Sequence, residues 1–232
     1  NDVMKTVYCL DMHYYGQYPG YYMRYLDERN IIPEMLPEDK EILSHGRPDY
    51  LAVNYYRTLC TSYLPETEEH PKGSRVFRGN EVDFDQYGYC RDEVNENLTR
   101  SEYGAAIDPN GLRMVLNDYY ARYRLPIIIT ENGLGVPDEL TPDERVHDDY
   151  RIDYLRKHIE ACRLAIEDGV EMLGYSPWSF MDLLSSHQGF RKRYGFVYVN
   201  REDHDEKDLQ RIKKDSYYWY QKVIQTNGED LS

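Results

Sequence analysis

The run Ile127-Ile128-Ile129-Thr130 is followed at once by Glu131-Asn132-Gly133-Leu134-Gly135. Consecutive β-branched apolar residues read as a strand covered on both faces. A carboxylate at the carboxyl end of such a strand emerges where burial stops, and glycines then allow a sharp turn. Working outward, Leu51-Ala52-Val53-Asn54-Tyr55-Tyr56 is a second run of this kind, and Val170 to Trp178 is a third, its regularity broken by Pro177 and Ser179. Ile107 to Tyr123 reads as a helix opened by Asp108-Pro109. Ile152, Leu155, Ile159, Cys162 and Ile166 step by three and four, which predicts a second helix, capped by Gly169. The order strand, helix, strand, helix, strand is that of an α/β protein with parallel strands. Polar residues gather just past the strand ends: Asn54 and Tyr56, Glu131 and Asn132, Trp178 and Asp182. A (β/α) barrel carries its active site at that end.

The remaining segments fill in around this unit. Residues 19–29 and 38–45 read as short helices, the second with Pro37-Glu38-Asp39 as an acidic first turn. Residues 60–105 are polar, have no clear period, and read as a long functional loop, here expected on the active-site side, or as a disordered stretch. Phe196-Val197-Tyr198-Val199 predicts a short strand or hairpin arm, and Lys213 to Gln225 a last helix. Three strands by themselves do not make a barrel.

Composition narrows the function. The 232 residues carry 28 basic and 42 acidic side chains, a net −14, which argues against a nucleic-acid or membrane-surface binder. Arg191-Lys192-Arg193 is therefore a conspicuous local basic cluster. No apolar span approaches the ~20 residues of a membrane helix. The first residues hold neither a signal-peptide core nor a starting Met, so the chain is expected to be a piece of something longer. Cys9, Cys60, Cys90 and Cys162 lie far apart and read as reduced thiols, as in a cytoplasmic protein. The seven His show no ligand spacing, and no metal or cofactor is expected. Tyr numbers 25 against 5 Phe and 2 Trp. Most of these tyrosines are expected to take the place of Phe in the core, while a few suit a carbohydrate site.

Residues 127–135 resemble the nucleophile signature of glycoside hydrolase family 1, the retaining β-glycosidases. Asn54-Tyr55-Tyr56 resembles the strand-six motif of that family. Arg100-Ser101-Glu102-Tyr103 with Ile107-Asp108-Pro109-Asn110-Gly111-Leu112 resembles the stretch leading into the next helix. Gly174-Tyr175-Ser176-Pro177-Trp178, through Asp182 and Ser185, resembles strand eight and its loop. Lys192-Arg193-Tyr194-Gly195-Phe196-Val197-Tyr198-Val199 and the helix with Trp219-Tyr220 complete the likeness. It implies the C-terminal half of a TIM (β/α)8 barrel, strands six to eight with their helices, with residues 1–232 as a single partial (β/α)8-barrel domain. Tyr103 and Ala105 depart from it, standing where many members carry two Trp.

The resemblance implies a double displacement between two carboxylates ~5–5.5 Å apart. Glu131 matches the nucleophile, Tyr56 the tyrosine that orients it, Asn54 a polar neighbour, and Trp178 the platform under the sugar. The acid/base of the family comes from Asn-Glu-Pro, and this chain has only Asn80-Glu81-Val82 and Asn95-Glu96-Asn97. Ser185, Lys192 and Tyr194 resemble the phosphate signature of the 6-phospho-β-glycosidase branch, with Ser186 an alternative donor. Ser186 also falls where 6-phospho-galactosidases carry a Trp, and a small residue there favours a glucoside.

The expected function is hydrolysis of 6-phospho-β-glucosides, such as phosphorylated cellobiose or aryl glucosides, to glucose 6-phosphate and an aglycone. The acid/base half lies outside this chain, so the chain alone is expected to be inactive and to associate with a second copy through open barrel edges. The alternative is a non-catalytic half-barrel that at most binds sugar phosphate.

Overall fold

The computed structural model describes residues 3–63, 90–186 and 188–232. A π-helical turn, Val3–Val7, leads into α1 (Tyr8–Tyr15), α2 (Gly20–Asp27) and α3 (Asp39–His45). Then come β1 (Leu51–Asn54), the hairpin arms β2 (Cys60–Tyr63) and β3 (Cys90–Glu93), α4 (Pro109–Tyr123) and β4 (Ile127–Asn132). The order continues with α5 (Asp149–Glu167), β5 (Met172–Pro177), β6 (Val197–Val199), β7 (Arg211–Lys213) and α6 (Asp215–Gln225). No helix among the described residues is long and apolar enough to cross a membrane.

The predicted strand–helix unit is present. β1, β4 and β5 form a parallel sheet in that order, with Leu51 opposite Ile127 and Ile127 opposite Met172. Parallel neighbours need a crossover, and α4 and α5 are those crossovers. Local chemistry sets their ends. Asp108 accepts a hydrogen bond from Gly111 N (2.9 Å) at the start of α4, with Pro109 in the first helical turn. Gly169, at φ +103°, ends α5 and lets Val170 N bond back to Ala165 O (3.0 Å).

The main core packs one face of the sheet against the two helices. Leu112, Leu116, Tyr123, Ile127, Ile129 and Ala165 are all fully buried there. The other face is different, and here the expectation of strands covered on both sides is corrected. Ala52 and Thr130 are exposed, and Leu173 keeps 54% of its surface. Right-handed crossovers deliver both helices to the same side of the sheet, so nothing among the described residues covers the opposite side. A second cluster of Leu134, Val136, Tyr154, Leu155, Phe196, Trp219 and Val223 ties the loop after β4 to α5 and α6.

Three further readings are refined. Within 60–105 the chain is not one unpatterned loop: β2 and β3 pair antiparallel, Cys60 opposite Glu93. Residues 64–89, which include Glu81 and its neighbours, lie outside the described residues. Helix α1 went unpredicted because Tyr8 to Tyr15 shows no apolar stripe. It is held instead by polar contacts to its buried Asp11, which accepts from Arg122 Nε (2.7 Å) and Tyr123 Oη (2.8 Å). Lys213 belongs to β7, opposite Val197, so the last helix begins at Asp215.

Candidate active site

Glu131 sits at the carboxyl end of β4, in register with Asn54 of β1. Its carbonyl accepts from Tyr55 N (2.9 Å), which locks the two strand ends together. Alternation along the chain then turns Tyr55 into the core and Tyr56 toward the Glu131 side chain. Tyr56 Oη donates to Glu131 Oε2 at 2.7 Å. Burial, and then the Glu131 carboxylate, push the Tyr56 phenol well above its ordinary pKa. It therefore remains a hydrogen-bond donor across the physiological range. The Tyr194 ring stands edge-on to Tyr56, with centroids 6.2 Å apart.

The residues after Glu131 support it. Asn132 is fully buried and satisfies its whole amide. Its Nδ2 donates to Tyr55 O (2.7 Å) and Tyr154 Oη (3.0 Å), and its Oδ1 accepts from Tyr175 Oη. Its carbonyl accepts from Trp178 N (2.8 Å), which joins the ends of β4 and β5. The two glycines are steric requirements. A Cβ at position 133 would lie 1.9 Å from Trp178 O, and one at position 135 would lie 2.4 Å from the Tyr194 ring. The sequence showed Asn132, Gly133 and Gly135 as a motif; only the packing shows what each does.

Beside this pair lies a cavity of about 250 Å³, lined among others by Tyr56, Arg57, Tyr103, Gln188, Lys192 and Tyr194. Lys192 is half-buried in it, its Nζ 5.1 Å from the Tyr103 ring centroid and 5.6 Å from that of Tyr194. Among the described residues no carboxylate pairs with it. Burial, and then the nearby Arg57 charge, pull the Lys192 ammonium below its usual pKa. Tyr103 and Ala105 both line this cavity.

The other predicted site residues are placed less closely. Trp178 is half-buried beside Asn132 and Gly133, and does not line the cavity. Asn54 is exposed and accepts from Thr130 Oγ1 (2.6 Å). Ser185 forms a reciprocal backbone pair with Gly189 (3.1 Å each way), which makes a tight turn carrying the exposed Ser186. Neither serine lines the cavity. Glu96 is exposed and does not line it either.

The basic cluster also needs correction: 191–193 is not one patch of positive charge. Backbone pairing of Arg193 with Val136 (2.9 and 3.2 Å) holds this stretch extended. Successive side chains then alternate. Lys192 and Tyr194 line the cavity, while Arg193 is buried and donates to Asp182 Oδ2 (2.9 Å) and Val199 O (2.9 Å). Asp182 also holds Lys214 (2.7 Å), which in turn pairs with Asp138. Asp138 meets Arg151 Nη2 (3.1 Å), and Arg151 meets Asp148 (2.5 Å). Three carboxylates and three cations thus balance inside the protein. Such a cluster contributes little net stability but is costly to break. Arg151 Nη2 also donates to Arg193 O (3.0 Å), so the cluster fixes the backbone that aims Lys192 and Tyr194.

The family model described as glycosyl hydrolase family 1 matches residues 1–229. The aryl-phospho-β-D-glucosidase BglC of Bacillus subtilis (strain 168) is 46% identical over 224 residues, 96% of this chain and 47% of the relative. The 6-phospho-β-glucosidase of Clostridium longisporum is 40% identical over 98% of this chain and 46% of its own length. A family 1 β-glucosidase structure from Thermotoga maritima superimposes with a TM-score of 0.77 at 30% identity, covering 96% of this chain and 44% of that one. The chain spans about half the length of the relatives it matches. The family model spans nearly the whole chain and the relatives are 46% and 40% identical to it, so the chain belongs to glycosyl hydrolase family 1.

Proposed function

We propose that this chain forms the nucleophile-bearing half of a retaining 6-phospho-β-glucosidase, with β1, β4 and β5 as barrel strands six, seven and eight. One juxtaposition carries the reading: a carboxylate bonded by a tyrosine at the end of β4, beside a cavity holding a half-buried ammonium. The names of the relatives support the substrate class, since BglC and the Clostridium enzyme are both called phospho-β-glucosidases.

In this reading Glu131 attacks the anomeric carbon, and its bond to Tyr56 holds the attacking oxygen in place. The leaving oxygen takes a proton from an acid outside the described residues, and water then releases the sugar. Trp178 lies under the apolar face of the sugar, and Asn54 is a polar neighbour of that subsite. Lys192 and Tyr194 receive the 6-phosphate, assisted by a hydroxyl from Ser185 or Ser186 on the adjoining turn. A fixed ammonium and hydroxyl donors suit a phosphate dianion. The products are glucose 6-phosphate and an aglycone, in keeping with a cytoplasmic enzyme that acts on sugars already phosphorylated.

Covalent labelling tests this assignment. A 2-deoxy-2-fluoro-β-glucosyl 6-phosphate with a good leaving group should trap the intermediate in the complete enzyme, and peptide mapping should find the label on Glu131. A label on another carboxylate overturns the mechanism.

A further inference from the structure

β1 ends at Asn54, so Tyr56 stands beyond the strand that leads to it. Tyr154 of α5 meets the backbone there. Its Oη donates to the Tyr56 carbonyl (3.3 Å) and accepts from Asn132 Nδ2 (3.0 Å). Those two contacts flank the Tyr56–Glu131 pair: Tyr56 carries the phenol bonded to Glu131, and Asn132 directly follows Glu131. The donors and acceptors run in one direction. Asn132 Oδ1 takes the Tyr175 hydroxyl, which leaves the two Nδ2 hydrogens for Tyr55 O and Tyr154 Oη, and the single Tyr154 proton for Tyr56 O. Tyr154 is itself held firmly. It is 2% exposed, its ring stacks on His158 with centroids 3.9 Å apart, and His158 Nδ1 lies 2.7 Å from its carbonyl. Phenylalanine would fill the same core space. The hydroxyl is the part that reaches the pair, and a buried hydroxyl costs free energy unless its bonds are made.

We propose that Tyr154 is a positioning residue for the nucleophile, its hydroxyl bracing Tyr56 against Asn132 so that the Tyr56 phenol stays on Glu131; this rests on the reading of Glu131 as the nucleophile. An attacking group gains rate from being held close to its reacting geometry. Tyr56 Oη fixes one oxygen of the carboxylate, and the Tyr154 hydroxyl fixes the main chain from which that phenol extends. Tyr154 performs no bond chemistry and adds nothing to phosphate binding, because its hydroxyl is committed to two protein partners. Removing that hydroxyl slows attack and leaves binding of the sugar phosphate unchanged. The 3.3 Å span to Tyr56 O is long for an O–H···O bond, so the brace is modest and its loss changes the rate by a small factor.

The test compares Tyr154→Phe, Tyr56→Phe and the double variant in the complete enzyme. The readouts are the saturating rate constant for covalent labelling by a 2-deoxy-2-fluoro-β-glucosyl 6-phosphate with a good leaving group, and Ki for glucose 6-phosphate. Rates are taken per labelled molecule, so misfolded protein lowers the labelled fraction without changing the rate constant. Tyr154→Phe should slow labelling by roughly threefold to tenfold, the usual effect of one neutral hydrogen bond. Its Ki for glucose 6-phosphate should stay within about twofold, as for a group that acts on the attack alone. In the Tyr56→Phe background the same change should cost much less, because the brace then holds no phenol on Glu131. A labelling rate within about twofold of the parent overturns the role of Tyr154. So does a Ki that rises as much as the rate falls, and so do losses that simply multiply in the double variant. Loss of labelling altogether in Tyr154→Phe assigns the hydroxyl to folding and also overturns it. If Tyr56→Phe slows labelling and Tyr154→Phe does not, the brace falls while the reading of Glu131 stands. If the label maps to another carboxylate, or Tyr56→Phe leaves the rate unchanged, that reading itself falls and the brace with it.

Discussion

Lys214→Met probes the buried charge cluster behind the site. Lys214 is fully buried and bridges Asp182 (2.7 Å) and Asp138, whose side chains are buried as well. Methionine is similar in length and apolar, so the cavity cost is small, but the cluster changes from three cations and three carboxylates to a net charge of −1. Asp182 keeps Arg193 and Asp138 keeps Arg151, so each carboxylate retains one partner and neither is fully orphaned. Breaking a buried pair by removing one partner costs about 3–5 kcal/mol. At ~2–4 °C of melting temperature per kcal/mol for a chain of this size, the expected fall is roughly 6–20 °C. The pH dependence gives a second check. In the variant an excess buried carboxylate has its folded pKa raised above the ~3.9 of the unfolded chain. The native state then binds the proton more tightly, so the deficit is full above the raised pKa and shrinks as pH falls toward the unfolded value. Asp138→Asn added to Lys214→Met should restore much of the loss by removing the excess charge. A melting temperature that falls by no more than ~2–4 °C, the equivalent of a single kcal/mol, would refute the reasoning; so would a deficit that does not change with pH.

Other expectations follow from the same contacts. Lys192→Ala should lower kcat/KM on a 6-phosphorylated glucoside by roughly tenfold to a hundredfold, with little change on the plain glucoside, and an equal loss on both would make Lys192 structural. His158 is fully buried, and burial lowers its pKa to about 4. The unfolded chain therefore takes up this proton first, and stability should drop as pH falls from ~6.5 toward 4, by ~3 kcal/mol at about 1.4 kcal/mol per pH unit. Urea titrations across that range should show the slope in the parent and a shallower one in His158→Leu. The open face of the β1–β4–β5 sheet, where Leu173 is exposed, should drive the chain on its own to associate, most simply as a two-fold pair. Light scattering that shows a monomer resistant to concentration would contradict this.

Much of the fold was legible along the chain, because its signals are local. Continuous apolar runs at 127–130 and 51–56, the three-four spacing from Ile152 to Ile166, Asp108-Pro109 and Gly169 each act within a few residues of where they stand. The resemblance of the stretches around Glu131, Tyr56 and Lys192 to glycosyl hydrolase family 1 was readable too, and the family is shown. Tertiary structure alone decided how those residues meet. Arg191-Lys192-Arg193 reads as one basic patch, yet the backbone pairing to Val136 sends Lys192 toward the cavity and Arg193 to Asp182. Asp138, Asp148 and Lys214 look like ordinary charged residues, and their burial follows from partners up to 76 positions away. Arg57 carried no sequence signal at all, since a cavity is formed by segments that are distant along the chain. The same reason accounts for Trp178 and the serines 185 and 186. Local sequence places each near a strand end, but whether a side chain reaches a shared cavity depends on the packing of β1, β4 and β5, which no stretch of chain encodes by itself.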